Sequence, residues 1–195
     1  MNYIVALGNP GPKYENTRHN IGWHVVMNWQ QAVGLPAFVA SKQYSGRVSE
    51  GMVSSQSVIV LLPDTSMNAS GSAVVKLVPP AAAAQLVVVY DDIALPLGEI
   101  KVSFGRGAGG HNGVSSIIQK LGTKDFVRVR VGIAPRSFWT GAVKRPAGHQ
   151  LAAFVLGRFS RREGAAVETV SQKVAVILGA IISEGYVAAM NRYNT

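Results

Sequence analysis

The strongest apolar run in the chain is Leu86-Val87-Val88-Val89-Tyr90. A run of this length with no polar side predicts a strand buried on both faces. Shorter apolar or alternating runs predict further strands at 3–7, 45–49, 57–62, 100–104 and 127–133. In the last of these, Val127, Val129 and Val131 alternate with Arg128 and Arg130, which predicts one polar, basic face. Apolar residues at helical spacing predict helices at 20–33, 70–77, 113–121 and 161–190. Gly122 stands where the third of these should end. Ser160-Arg161-Arg162-Glu163 has the form of a capping box at the start of the fourth, whose Val167, Val170, Val174, Ile177, Leu178, Ile181 and Ile182 share one side. Strands and helices interleave with no repeat and no linker, which argues for one sheet with helices on both faces. Residues 134–150, APRSFWTGAVKRPAGHQ, fit neither period and read as a long, mobile, basic loop.

Composition narrows the chemistry. With no cysteine among 195 residues, disulfides, thiolate nucleophiles and Cys-based zinc sites are excluded. The N-terminus lacks the charged start and cleavage site of a signal peptide, and no apolar run is expected to approach the ~20 residues that span a bilayer. A soluble, intracellular protein is expected. The net charge is +9. Residues 101–162 hold twelve of the nineteen Lys and Arg against the single acid Asp125, a local charge of +11, and the remainder is slightly acidic. Such concentration points to a polyanionic partner, with nucleic acid foremost. A membrane surface fits less well, because glycines and strand-like runs interrupt the basic residues.

Polar clusters follow several of the expected strands, where open α/β sheets gather ligands. Asn9, Tyr14, His19 and Asn20 follow the first strand, and Asp91 and Asp92 follow the central one. GRGAGGHNG brings His111 and Asn112, and Met67-Asn68-Ala69-Ser70 opens a helix. Singly, each has a plain structural explanation as a turn or a cap. His24 and His149 have no polar company and are assigned no role. Together the clusters supply a histidine, a carboxylate to orient it, and neutral amides. That set suits water-mediated hydrolysis of an activated bond such as an ester. No Gly-x-Ser-x-Gly elbow surrounds any serine. A metal site of His19, His111, Asp91 and Asp92 is the weaker rival, since no metal-binding spacing occurs.

The stretches GNPGPKYENTRHNIGW, PDTSMNASGSAV, YDDIALPLGEIKV, GAGGHNGVSSII, DFVRVRVGI and FVLGRF resemble, in order and spacing, the bacterial-type peptidyl-tRNA hydrolases. The resemblance spans nearly the whole chain. It implies hydrolysis of the ester joining a peptide to the 3′-terminal ribose of tRNA, without cofactor or metal. His19 matches the family's base, Asp91 the carboxylate orienting it, and Asn9 the asparagine linked to recognising an N-blocked substrate. Asn68 and Asn112 match amides that hold the peptide and the tRNA 3′ end, with Met67 and His111 beside them. Tyr14 matches a tRNA contact, and Lys101 and Arg130 match basic residues assigned to phosphates. The chain departs from the family pattern at Leu62, Ser66, Ala94 and Ser103, and in the loop 134–150. The expectation is therefore an α/β fold: a single-domain three-layer α/β/α sandwich with a mixed, mostly parallel central sheet, covering 1–195. It should be a cytoplasmic monomer acting on peptidyl-tRNA, with no membrane partner. The alternatives are a non-catalytic RNA-binding protein on the same fold and, less well supported by the charge, an esterase for small acyl substrates.

Overall fold

The run Leu86–Val89 forms the start of β5 (Leu86–Pro96), and every one of those side chains is buried. β1 (Asn2–Ala6) lies parallel on one side of it, and β7 (Val127–Ala134) lies parallel on the other. β4 (Gln56–Pro63) adds a fourth parallel strand beyond β1. Antiparallel strands complete both edges. β3 (Gly46–Val53) and then β2 (Val39–Ser41) follow β4, while β6 (Ile100–Phe104) pairs with β7. The seven-stranded order is β2-β3-β4-β1-β5-β7-β6. The computed structural model describes residues 1–136, 143, 146 and 148–194.

Helices cover both faces, as the interleaved pattern requires. α1 (Ile21–Ala32), α5 (Gly164–Glu184) and α6 (Tyr186–Tyr193) close one core around Trp29, Val129, Val174 and Leu178. α2 (Ser70–Leu77) and α3 (Asn112–Leu121) close the other around Leu61, Val88, Ile117 and Phe126. The mixed α/β/α sandwich is thus the architecture present.

Three expectations change. The helix expected over 161–190 is a 3-10 turn (Arg161–Glu163), α5 and α6, broken at Gly185, whose φ of 87° is open to glycine and costly for other residues. The capping box at its start is present, with the Ser160 N–H donating to the Glu163 carboxylate at 2.6 Å. The segment Arg161–Glu184 is, by length and composition alone, apolar enough to cross a membrane, contrary to the expectation that no run comes close. Here its apolar side packs on α1 and the sheet as a core helix. The expected basic face of β7 is also not one, because Arg128 is fully buried. Its guanidinium lies 4.6 Å from the Phe126 ring centroid and donates to the carbonyls of Gly107 and Lys124. Most of the loop expected over 134–150 falls outside the described residues. Its ends belong to β7 and to α4 (His149–Val155).

Close contacts set the position of the cleft and the border of the sheet. Gly22, in the first turn of α1, approaches the sheet so closely that a β-carbon would lie 2.6 Å from the Val89 carbonyl oxygen and 2.7 Å from that of Leu7. The absence of a side chain brings the turn Arg18–Asn20 over the carboxyl ends of β1 and β5. At the far edge, the Asn194 side chain accepts from the Val102 N–H and donates to the Val102 carbonyl, both at 2.8 Å, covering β6.

Candidate active site

Asn9 lies just beyond β1 and is held from two sides. The fully buried Asn20 accepts from the Asn9 N–H at 2.9 Å and donates to the Asn9 carbonyl at 3.0 Å. The Asn9 Oδ1 accepts from the Met67 N–H at 2.8 Å. A backbone N–H can only donate, so this bond fixes which way the Asn9 amide lies. Its Nδ2 is left as a donor at the wall of a cleft of about 900 Å³.

Beside it stands a three-residue network. Asp91, in β5, is 4% exposed. Its Oδ1 lies 2.7 Å from His19 Nδ1 and 3.0 Å from His111 Nε2. His111 caps α3, its Nδ1 accepting from the Val114 N–H at 3.3 Å. An accepting Nδ1 carries no proton, so neutral His111 holds its proton on Nε2, aimed at Asp91. In neutral His19, Nδ1–H likewise donates to the Asp91 carboxylate, which leaves Nε2 as a lone-pair nitrogen on the cleft. That nitrogen has no hydrogen-bond partner among the described residues.

The electrostatics come from burial set against charge. Burial alone would lower the His19 pKa. The charge of Asp91 and its hydrogen bond outweigh that, and the net effect is a pKa raised above 6.5. Burial would raise the Asp91 pKa, but the nearby charges and hydrogen bonds of His111 and His19 bring it down to about 2. Tyr90 packs edge-on to His111 at 4.8 Å, and burial pushes its hydroxyl up to about 12. It stays a neutral wall.

The same three side chains are the candidate metal set, their ligand atoms all within 4.8 Å of one another. The separations of 2.7 and 3.0 Å are those of hydrogen bonds. Ligands at ~2.0–2.1 Å from a tetrahedral zinc stand about 3.3–3.4 Å apart. The geometry therefore suits a proton network better than a cation. Asp92, the fourth member of that rival set, instead pairs with Arg130.

Tyr14, Met67, Asn68 and Asn112 all line the cleft, as do Lys101 and Arg130. The strand register sets Tyr90, Arg130 and Lys101 in one row across β5, β7 and β6. Within that row Arg130 Nε donates to Asp92 Oδ2 at 2.6 Å, so half of the expected phosphate pair is already matched to an acid. Lys101 is exposed and has no partner among the described residues. His24 contacts the Glu15 carbonyl and His149 opens α4, both away from the network.

Several cleft residues carry no sequence signal of their role. Tyr90 looks like the end of an apolar strand and nothing more. Asn20 belongs to a polar cluster, but nothing in the sequence says that it grips Asn9. Leu151, Val155 and Leu156, from α4 and its C-terminal end, form an apolar wall whose start lies in the expected loop. Of the departures, Leu62 and Ser103 are buried, and Ser66 and Ala94 line the cleft.

Comparison with known proteins places the chain by its sequence and fold. The model of the family described as peptidyl-tRNA hydrolase matches residues 3–195. The peptidyl-tRNA hydrolase of Syntrophotalea carbinolica is 39% identical, covering 100% of this chain and 97% of its own. That of a Roseiflexus species is 41% identical, covering 98% and 84%. The crystal structure of peptidyl-tRNA hydrolase from Acinetobacter baumannii superposes with a TM-score of 0.87 at 28% identity, covering 100% of this chain and 95% of that one.

Proposed function

The chain belongs to the peptidyl-tRNA hydrolase family, and from that premise we propose which of its residues carry out the hydrolysis. The reaction cuts the ester between the peptide and the ribose of tRNA, releasing both. His19 Nε2 takes a proton from a water molecule as the water oxygen attacks the ester carbonyl carbon. The tetrahedral intermediate collapses by breaking the bond to the ribose oxygen. His19 returns its proton to that oxygen, which leaves a free 3′-terminal ribose on the tRNA and a peptide carboxylic acid, which then loses its proton to solvent. Asp91 holds the His19 ring and balances the charge that forms on it.

The observation that carries this reading is the 2.7 Å bond from His19 Nδ1 to the buried Asp91, which leaves Nε2 as acceptor on the cleft. Asn9 Nδ2, held in direction by Met67 and Asn20, is our candidate donor to the oxyanion. Asn68 and Asn112 position the peptide end and the terminal nucleotide. Met67, Tyr14 and His111 complete the walls, and Lys101 meets phosphate. Arg130 contributes less to charge than its sequence position suggests, because Asp92 neutralises it.

The test is release of peptide from N-blocked aminoacyl-tRNA with EDTA present. Wild type should turn over. His19→Ala should lose ~10²–10⁴-fold in rate. Turnover abolished by EDTA would move the network to the metal reading. Absence of release with retained, salt-sensitive tRNA binding would favour a binding protein. We further propose that the protein acts as a monomer in the cytoplasm, with α5 as a core helix. Light scattering on the tRNA-free protein checks the monomer.

A further inference from the structure

α4 forms one wall of the cleft, yet none of its residues is buried. Phe154 and Val155 are only half-buried against the core. A wall with so little burial needs another anchor, and the structure supplies one in Arg18, the residue immediately before His19. The Arg18 N–H donates to the Gly157 carbonyl at 2.9 Å, just past the end of α4. Thr17 and Arg158 form an isolated antiparallel bridge alongside. The Arg18 guanidinium lies 4.4 Å from the Phe154 ring centroid and 5.3 Å from that of Phe159. Its Nη2 donates to both Glu163 carboxylate oxygens, at 3.2 and 3.1 Å. Glu163 is in turn fixed by the Ser160 N–H. Gly157 leaves room for this arrangement, since a β-carbon there would stand 3.1 Å from Arg18 Nη1.

We infer that Arg18, clamped between Phe154 and Phe159 and paired with Glu163, is the clasp that holds the α4 wall onto the turn carrying His19. The Arg18 side chain is not among the residues that line the cleft, and its partners are Glu163, Phe154 and Phe159, so it is a positioning residue for binding. The inference rests on the hydrolase reading of the cleft. Its physical content is that wall and base share one anchor. An apolar α4 face carrying Leu151, Val155 and Leu156 stays at a set distance from His19 only while that anchor is closed.

The experiment uses Arg18→Met, which keeps the apolar stem, and Glu163→Gln, which keeps the capping-box acceptor and removes the charge. Hydrogen exchange over residues 149–156 and steady-state peptide release are measured on both and on wild type. Exchange in α4 should rise about tenfold, and KM for N-blocked aminoacyl-tRNA should rise on the order of tenfold. The kcat should stay within about threefold, and its pH dependence should keep the wild-type midpoint, because the His19–Asp91 pair is untouched. Unchanged exchange over 149–156 in both variants would overturn the clasp. So would a fall in kcat at constant KM, which would place Arg18 in the chemistry itself. If Arg18→Met does not fold, Glu163→Gln alone decides. Failure of wild type to release peptide would sink the hydrolase reading but not the exchange result, so the two failures stay distinct.

Discussion

At the scale of single residues, the site is a set of proton positions. Because Asp91 raises the His19 pKa, the neutral base is depleted at a higher pH than in free histidine. The acid limb of kcat/KM should therefore have its midpoint above 6.5 and not at it. A pH–rate profile checks this, and a midpoint at or below the ordinary value would remove Asp91 as the dominant influence. Asp91→Asn should lower the rate by ~10²–10⁴-fold and move the limb to lower pH, since burial alone then acts on His19. The carboxylate also bears on stability, and its own pKa is moved the other way, downward. A group depressed from 3.8 to about 2 contributes stability above its ordinary value and loses it as pH falls through the folded one. Acid denaturation of Asp91→Asn should accordingly lack that component. His19, Asp91 and Asn9 stand out in the sequence because each is a polar residue after an expected strand, although Asp91 lies inside β5, which runs on to Pro96. Asn20, Tyr90 and Arg18 are not legible in their roles. Their partners lie far away in sequence, as with Arg18 and Glu163, and only the closed fold brings them together.

At the scale of elements, apolar periods predict strands and helices well where a segment has a continuous buried face. β6 and α2 begin and end where the pattern places them. α4 escapes the pattern because a seven-residue helix with no buried residue leaves little apolar signature. The last helix is expected too long because the apolar spacing continues past Gly185, and the spacing does not report the backbone angle there. Arg128 misleads for a related reason. Alternation marks which side a residue faces, but not whether that side is covered by the Gly107 loop. The tightest contact between elements gives a direct prediction. Gly22→Ala places a methyl against two carbonyl oxygens and should destabilise the protein by ~1–3 kcal/mol. It should also displace the His19 turn, so that thermal midpoint and peptide release fall together. Loss of stability with full activity would show that the turn does not depend on this approach.

Across the whole molecule, the expected basic surface is real in sequence but reduced by pairing. Arg130 is matched by Asp92, Arg136 by Glu99, and Arg128 lies inside the fold. Binding of tRNA should still weaken with salt. Lys101→Ala should lower the magnitude of the log K against log salt slope by about one, and Arg130→Ala should lower it by less. Equal slopes for the two variants would contradict the neutralising effect of Asp92. The fold class is legible because strand and helix periods alternate along the chain. The order of strands is not, because pairing across the sheet depends on contacts that no local pattern encodes. One contact at the sheet's border has a further consequence. By offering its amide to both polar groups of Val102, Asn194 acts as a substitute strand one residue long. It withholds from any neighbouring chain the template on which sheets grow into fibrils. Asn194→Ala should leave peptide release intact while making self-association rise with concentration, which static light scattering would detect; a variant that stays dispersed would assign the guarding of that border to α6 as a whole.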